Sequence, residues 1–256
     1  METDFDVIVV GGGHAGIEAS HASAMLGLKT LLLTLNRKMI GNMPCNPHIG
    51  GSAKGIVVRE IDALGGLMAL AADHRPLQMK MLNTGKGPGV QCLRSQQDKE
   101  GYPAFIQSLL DQTPNLTILE EEVKDLLHDD KRVYGVVLSS KKTLNAKAVI
   151  LTTGTYMNGR IISGRDVFEG GPDGEKPSKG LSESLQKMGI ELVRLKTGTP
   201  PRLKASTIDF SKGEIQEGSH EKLAFSYSTK HFIPFEEQLP CYLIYAGKLH
   251  VRFLEE

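Results

Sequence analysis

Gly11-Gly12-Gly13-His14-Ala15-Gly16 sets three glycines at the spacing G-x-G-x-x-G, which is suited to holding phosphate. The first glycine allows a tight turn, the second lets the backbone approach a pyrophosphate, and the third lets a helix pack closely on a strand. Free N–H groups at the helix start then face the phosphates, helped by a helix dipole worth about 0.3–1 kcal/mol per charge. A second set is Met43-Pro44-Cys45-Asn46-Pro47-His48-Ile49-Gly50-Gly51, where two prolines and two glycines fix the backbone around one cysteine. Rigid loops of this kind hold ligands or catalytic groups. Nearby positive charge or a helix N-terminus favours the thiolate, the nucleophilic form, and His48, Lys38 and Lys54 are the candidates to supply it. On these residues alone a buried, inert Cys45 is the competing reading. Cys92 and Cys241 lack such surroundings and read as structural.

The elements needed to position these residues are legible on either side. Asp6-Val7-Ile8-Val9-Val10 is apolar and rich in β-branched residues, as expected of a strand buried on both faces of a parallel sheet. Ile17, Ala19, Ala22, Ala24, Met25 and Leu26 then predict a helix, which Gly27 ends, and Lys29 to Thr34 predicts a second strand. A lone glycine turn is a weak signal. Between a strand and a helix it indicates a dinucleotide site. A carboxylate about 20 residues further on usually binds a ribose hydroxyl. Here the strand ends Thr34-Leu35-Asn36, which argues against a plain NAD dehydrogenase and leaves Thr34 or Asn36 for a polar contact.

Downstream, Tyr102 to Leu110 reads as a helix and Leu116 to Leu119 as a strand. Val123 to Leu127 and Val133 to Leu138 read as paired strands. Leu144 to Thr155 reads as a buried strand ending in small residues, Thr153-Gly154 among them. Flavoproteins with two dinucleotide folds pass such a strand beside the cofactor pyrophosphate, where the backbone itself must come close. Together with the glycine turn, this places FAD above NAD. Asp166 to Lys179, rich in glycine and proline, predicts an irregular loop; Ser182 to Met188 predicts a short helix and Ile190 to Leu195 a strand. Lys196-Thr197-Gly198-Thr199-Pro200-Pro201-Arg202 breaks the regular pattern and marks an expected domain crossing.

The composition is that of a globular chain, 40% hydrophobic and 23% charged over 256 residues. Lys+Arg 30 balances Asp+Glu 30, so no global basic field draws nucleic acid. Three cysteines are too few and scattered for a disulfide framework, and no Cys-x-x-Cys or His-rich run suggests a metal site. An acidic start and the lack of a membrane-length apolar run point to the cytoplasm. Charge is nevertheless segregated. Leu35 to Arg59 carries Arg37, Lys38, Lys54 and Arg59 with no acid, and His74 to Gln97 carries Arg75, Lys80, Lys86 and Arg94 with none. Read as loops, the two stretches either line an anionic site, for flavin phosphates or RNA backbone, or are solvated cations.

The longer strings resemble the GidA/MnmG family of flavoproteins that modify the wobble uridine of tRNA. They are Asp6 to Gly16, Pro44-Cys45-Asn46-Pro47-x-Ile49-Gly50-Gly51, Glu60 to Met68, Lys86-Gly87-Pro88, Lys196 to Arg202 and Thr207-Ile208-Asp209-Phe210, in order from the start to about Phe210. The resemblance implies an α/β chain with a glutathione-reductase-like, Rossmann-type two-dinucleotide fold, incomplete at the C-terminus. It implies an FAD-binding domain over residues 1–200 and the start of an inserted second domain over 201–256, with a divergent tail after about Tyr245. By the same resemblance Gly11, Gly12, Gly13, His14, Ala15 and Gly16 hold the FAD pyrophosphate, while Val123 and Ser178 are further FAD contacts alongside Thr153 and Gly154. Cys45 matches a cysteine implicated in catalysis, as nucleophile or proton donor at the uridine ring. NADH as reductant, methylenetetrahydrofolate as carbon donor, tRNA, a GTPase partner (MnmE) and a homodimer are implied as well. Departures accompany this. Family members are more than twice as long and carry a second catalytic cysteine in a Gly-Pro-x-Tyr-Cys-Pro-Ser segment linked to NADH, which this sequence lacks; Gln91 stands where the family often has Arg. A non-catalytic flavin- or RNA-binding module is therefore the alternative expectation, and a generic flavin oxidoreductase the third.

Overall fold

The structure, a computed structural model, describes residues 3–245. In chain order its elements are β1 (Phe5–Val10), α1 (His14–Met25), β2 (Thr30–Thr34), β3 (His48–Gly50), α2 (Lys54–Ala63), α3 (Met68–His74), β4 (Pro76–Leu82), β5 (Cys92–Gln97) and α4 (Gly101–Asp111). There follow β6 (Leu116–Glu120), β7 (Val123–His128), β8 (Val133–Leu138), β9 (Thr143–Leu151), β10 (Arg160–Ser163), β11 (Asp166–Glu169), α5 (Leu181–Lys187), β12 (Glu214–Gln216) and β13 (Cys241–Leu243).

The main sheet runs β6-β2-β1-β9-β8-β7. β6, β2, β1 and β9 are parallel neighbours, and β7, β8 and β9 are antiparallel. β9 changes partner along its length: Thr143 to Asn145 pair with β8, and Ala146 to Leu151 pair with β1. Side chains alternate across a strand. Val7 and Val9 therefore enter one buried cluster, with Ile17, Leu32 and Ile106, while Ile8 and Val10 enter another, with Leu31, Leu33, Val123 and Leu181. This double burial is why β1 reads as a continuous apolar run. Gly27, at φ +84°, ends the turn after α1 where a side chain would be strained. The parallel part of the sheet with its strand–glycine turn–helix unit is a Rossmann-type fold.

A second, antiparallel sheet, β3-β5-β4, closes the first cluster. The segment after residue 205 packs onto it. Gln78, buried on β4, donates to the carbonyls of Gln216 and Leu239 at 2.9 and 3.0 Å. Buried Asp73 on α3 accepts from the N–H groups of Phe225 and Ser226 and from Thr229 Oγ1, the last at 2.7 Å. Phe225 is thereby held inside the first cluster.

Three expectations are corrected. His74 to Gln97 is not a loop, for Lys80 and Arg94 sit opposite one another on β4 and β5. Lys54 and Arg59 likewise belong to α2. The stretch from Asp166 is not wholly irregular, because Asp166–Glu169 pairs with Arg160–Ser163 as a hairpin. Ile190 to Leu195 forms no strand: no neighbour among the described residues offers it a ladder, and Leu195 is 85% exposed. The tail expected to diverge, 246–256, lies outside the described residues. No helix of the described residues is long and apolar enough to cross a membrane.

Candidate functional site

The three spaced glycines have different physical reasons. A Cβ on Gly11 would lie 2.4 Å from the Thr152 carbonyl oxygen, and Gly11 has φ +112°. A Cβ on Gly16 would lie 1.8 Å from the Gly11 oxygen. These two glycines let β1, α1 and the end of β9 converge. Gly13 has no such reason: its φ is −74° and nothing in the protein stands within 4 Å of an added Cβ. It borders a cavity instead. Gly13 is also the N-cap of α1 and gives no side-chain cap, and no acid occupies the first turn. The first N–H groups of that helix therefore lack partners within it.

This cavity, of about 250 Å³, brings together Gly11, Gly12, Gly13, Val123, Thr153, Gly154 and Ser178. Residues read separately from the sequence as cofactor contacts thus share one wall. Ala15 and Gly16 do not border it, and His14 borders a neighbouring cavity. None of its bordering residues is Lys or Arg. The first basic stretch borders it through Leu35, Asn36, Met39, Asn42 and Pro44, but the cations of neither stretch do, a correction to one of the two anionic sites expected of them. Arg37 pairs instead with Asp111 at 2.5 Å, and Arg59 donates to the Ala224 carbonyl at 3.2 Å. An anion in this cavity would meet backbone N–H groups and a helix dipole rather than side-chain cations.

The second cavity, about 530 Å³, is bordered by His14, Cys45, His48 and Lys54, and it shares Asn42 and Pro44 with the first. The Cys45 thiol donates to the Gly198 carbonyl at 3.0 Å. Of the three charges expected near Cys45, His48 and Lys54 border this cavity; Lys38 does not, and lies in the turn capped by Asn36. The Nε2 atom of His14 is shielded from solvent without a hydrogen-bond partner, as is the Tyr102 hydroxyl, and the two rings are 5.6 Å apart. Burial pushes the His14 pKa below its ordinary value, so the imidazole is neutral at pH 7.

A family model described as glucose inhibited division protein A matches residues 6–256. The chain belongs to the GidA family. The match continues through the last eleven residues, where the motifs alone suggested divergence. The chain is 53% identical over 243 residues to the tRNA uridine 5-carboxymethylaminomethyl modification enzyme MnmG of Bacillus subtilis, covering 95% of this chain and 38% of that one. It is 52% identical to the protein of the same name from Mycoplasma capricolum, covering 100% of this chain and 41% of the relative. The structure of Aquifex aeolicus GidA matches with a TM-score of 0.88 and 46% identity, over 93% of this chain and 40% of that one. The GidA-related protein from Thermus thermophilus, at 21% identity and a TM-score of 0.54, shares the fold. The chain therefore spans about 40% of the length of these GidA relatives.

Two polar groups of this GidA-family cavity escaped the sequence reading. Glu121 and Glu175 both border the first cavity. Glu175 accepts from Asn36 Nδ2 at 3.0 Å, and the Glu121 N–H donates to the Thr34 carbonyl at 3.0 Å. An acidic residue thus reaches this cavity from the connection after β6, which pairs with β2, with the Glu121 carboxylate accepting from the Ser140 N–H at 3.2 Å. The run Glu120-Glu121-Glu122 was the available signal, but nothing in its spacing points at Thr34.

Proposed function

We propose that this chain holds FAD in the first cavity and presents Cys45 to the wobble uridine of a tRNA, within an enzyme that adds a carboxymethylaminomethyl or aminomethyl group. The observation that carries the reading is Gly13. The fold leaves room for a side chain there, yet the residue is glycine, and its open side is cavity at an uncapped helix N-terminus. A cradle that a Cβ would fill, lined by amides and free of side-chain cations, fits a dinucleotide diphosphate. Gly11, Gly12 and Gly13, which border the cavity, hold the diphosphate, and His14, Ala15 and Gly16 form the first turn of α1 behind them, whose dipole favours it. Thr153 and Gly154 pass close to it, and Val123 and Ser178 flank the far end of the cofactor. When bound, FAD supplies the electron chemistry; the protein supplies position and electrostatics.

Cys45 serves as nucleophile or proton donor at the uridine ring, because a thiolate attacks an electron-poor ring carbon well. Gly198 and Arg202 fix its loop beside the flavin cavity. By the same reading NADH is the reductant and methylenetetrahydrofolate the carbon donor. The working assembly is a homodimer with a GTPase partner (MnmE) in the cytoplasm. The dinucleotide-binding unit ends near residue 200, where the inserted domain begins. The test is Cys45→Ser: visible flavin absorbance is retained and wobble-uridine modification is lost. Undiminished modification in that variant would remove Cys45 from the chemistry.

A further inference from the structure

In a strand–glycine turn–helix–strand unit the ribose hydroxyls of a dinucleotide lie at the end of the second strand, about 20 residues past the glycines. Here that place is the end of β2, where Thr34, Leu35 and Asn36 border the first cavity. Both polar side chains there are committed within the protein. Thr34 Oγ1 donates to the Asn36 carbonyl at 3.3 Å, and Asn36 Oδ1 accepts from the Lys38 N–H at 3.0 Å. Asn36 Nδ2 donates in turn to Glu175 Oε1 at 3.0 Å. Glu175 also borders the cavity, so this bond brings a carboxylate to the place where β2 ends without one. Among the described residues Glu175 is in no ion pair, and its Oε2 has no hydrogen-bond partner. Tyr156 borders the same cavity, and its pKa is raised by burial first and then by the charges of Glu175 and Asp173. Glu121, the other carboxylate bordering the cavity, is engaged by the Ser139 hydroxyl and the Ser140 N–H.

The loop after β11 delivers Glu175. Within it the Gly171 N–H donates to the Glu175 carbonyl at 2.7 Å, and the Glu175 N–H donates to the Pro172 carbonyl at 3.1 Å. Asp173 ties the loop down, accepting from Asn42 Nδ2 at 2.8 Å and from Lys99 Nζ at 3.0 Å. The loop is thus fastened to two residues that border the cavity, Asn36 and Asn42. An ionised carboxylate only accepts, which suits the two hydroxyls of a diol. A phosphate on the ribose would instead meet two carboxylates and no Lys or Arg side chain among the bordering residues.

We infer that Glu175, positioned by Asn36, accepts from the ribose hydroxyls of the cofactor's adenosine, so that the cavity takes a nucleotide with a free ribose diol and rejects one carrying a 2′-phosphate. The inference rests on the reading of this cavity as the FAD site and adds to it the residue that reads the ribose.

Calorimetric titration of the whole chain with adenosine 5′-diphosphate and with its 2′-deoxy analogue tests this without flavin and without turnover. The native chain binds the diphosphate about tenfold more tightly than the deoxy analogue, on the scale of one hydrogen bond to a charged group. In Glu175→Ala the two nucleotides bind equally. A loop merely loosened by the substitution would weaken both and leave their ratio standing, which overturns the inference. A ratio kept in Glu175→Ala but lost in Glu121→Gln assigns the diol to Glu121 and overturns it too, as does a native chain that binds both nucleotides alike. Adenosine 2′,5′-bisphosphate binds the native chain at least about tenfold more weakly than adenosine 5′-monophosphate, and equal binding overturns the rejection of a 2′-phosphate. FAD titration followed by flavin fluorescence reports the cofactor reading on its own. A native chain that binds FAD yet ignores the 2′-hydroxyl contradicts this inference alone, and one that binds neither FAD nor adenosine 5′-diphosphate contradicts both.

Discussion

Arg202 Nη2 lies 2.7 Å from the main-chain oxygen of Cys45 and 2.9 Å from that of Pro44. One guanidinium nitrogen thus fastens the Lys196 to Arg202 segment onto the proline-cysteine loop, while the Cys45 thiol bonds back to Gly198. Two stretches far apart in sequence are thus joined beside the first cavity, which Pro44 borders.

Arg202→Ala removes both bonds from a charged donor, each worth about 1.5–3 kcal/mol. The Cys45 loop then opens more often, and iodoacetamide alkylates Cys45 on the order of tenfold faster. Mass spectrometry of the alkylated protein measures this. An unchanged rate would mean that the loop is held by other contacts.

Gly16→Ala places a methyl group where the Gly11 carbonyl oxygen already stands. Overpacking of this kind costs roughly 1–3 kcal/mol. The urea midpoint should drop by the corresponding amount, and FAD affinity with it, since β1 and α1 must separate. A variant as stable as the native chain would show that the turn has slack.

His14 gives a pH dependence with a definite sign. Burial lowers its folded pKa below the ordinary histidine value, so the unfolded chain binds the proton more readily. The contribution of His14 is fully present above the unfolded pKa and is lost as pH falls through the depressed folded value. Urea midpoints between pH 7.5 and pH 5 should therefore fall less in His14→Gln than in the native chain. Parallel pH profiles would contradict a buried, neutral His14.

Asp73 is the buried carboxylate that anchors the 223–229 segment through Phe225, Ser226 and Thr229. Asp73→Ala strands those donors, at about 1–3 kcal/mol for each group left unsatisfied. Hydrogen exchange at the amides of Phe225 and Ser226 should accelerate more than exchange in β1. Uniform acceleration would indicate global rather than local loosening.

How much of this was legible depended on whether a signal was local. β1, α1 and β2 were readable because double burial writes apolar residues continuously and Gly27 must stop the helix. β10 and β11 were not, because the exposed pattern of Asp166–Glu169 gives no alternation. Ile190 to Leu195 misled for the opposite reason: Ile190, Val193 and Leu195 are exposed without a pairing strand, and Leu192 alone packs on the second cluster. In the site, Gly11, Gly13 and Cys45 were legible from spacing and loop rigidity. Glu121, Glu175 and the Arg202 clamp were not, since each reaches its place through tertiary pairing that no spacing encodes.

Titration of FAD against the native chain and Gly13→Ser, followed by flavin fluorescence, tests the diphosphate cradle at Gly13 directly. Serine fits the N-cap of α1 at no cost to the helix, yet it places atoms where the diphosphate would lie. FAD should bind the native chain saturably and Gly13→Ser more weakly by at least about tenfold, with the urea midpoint unchanged or raised. Equal FAD affinity in the two proteins, or a native chain that binds none, would contradict it.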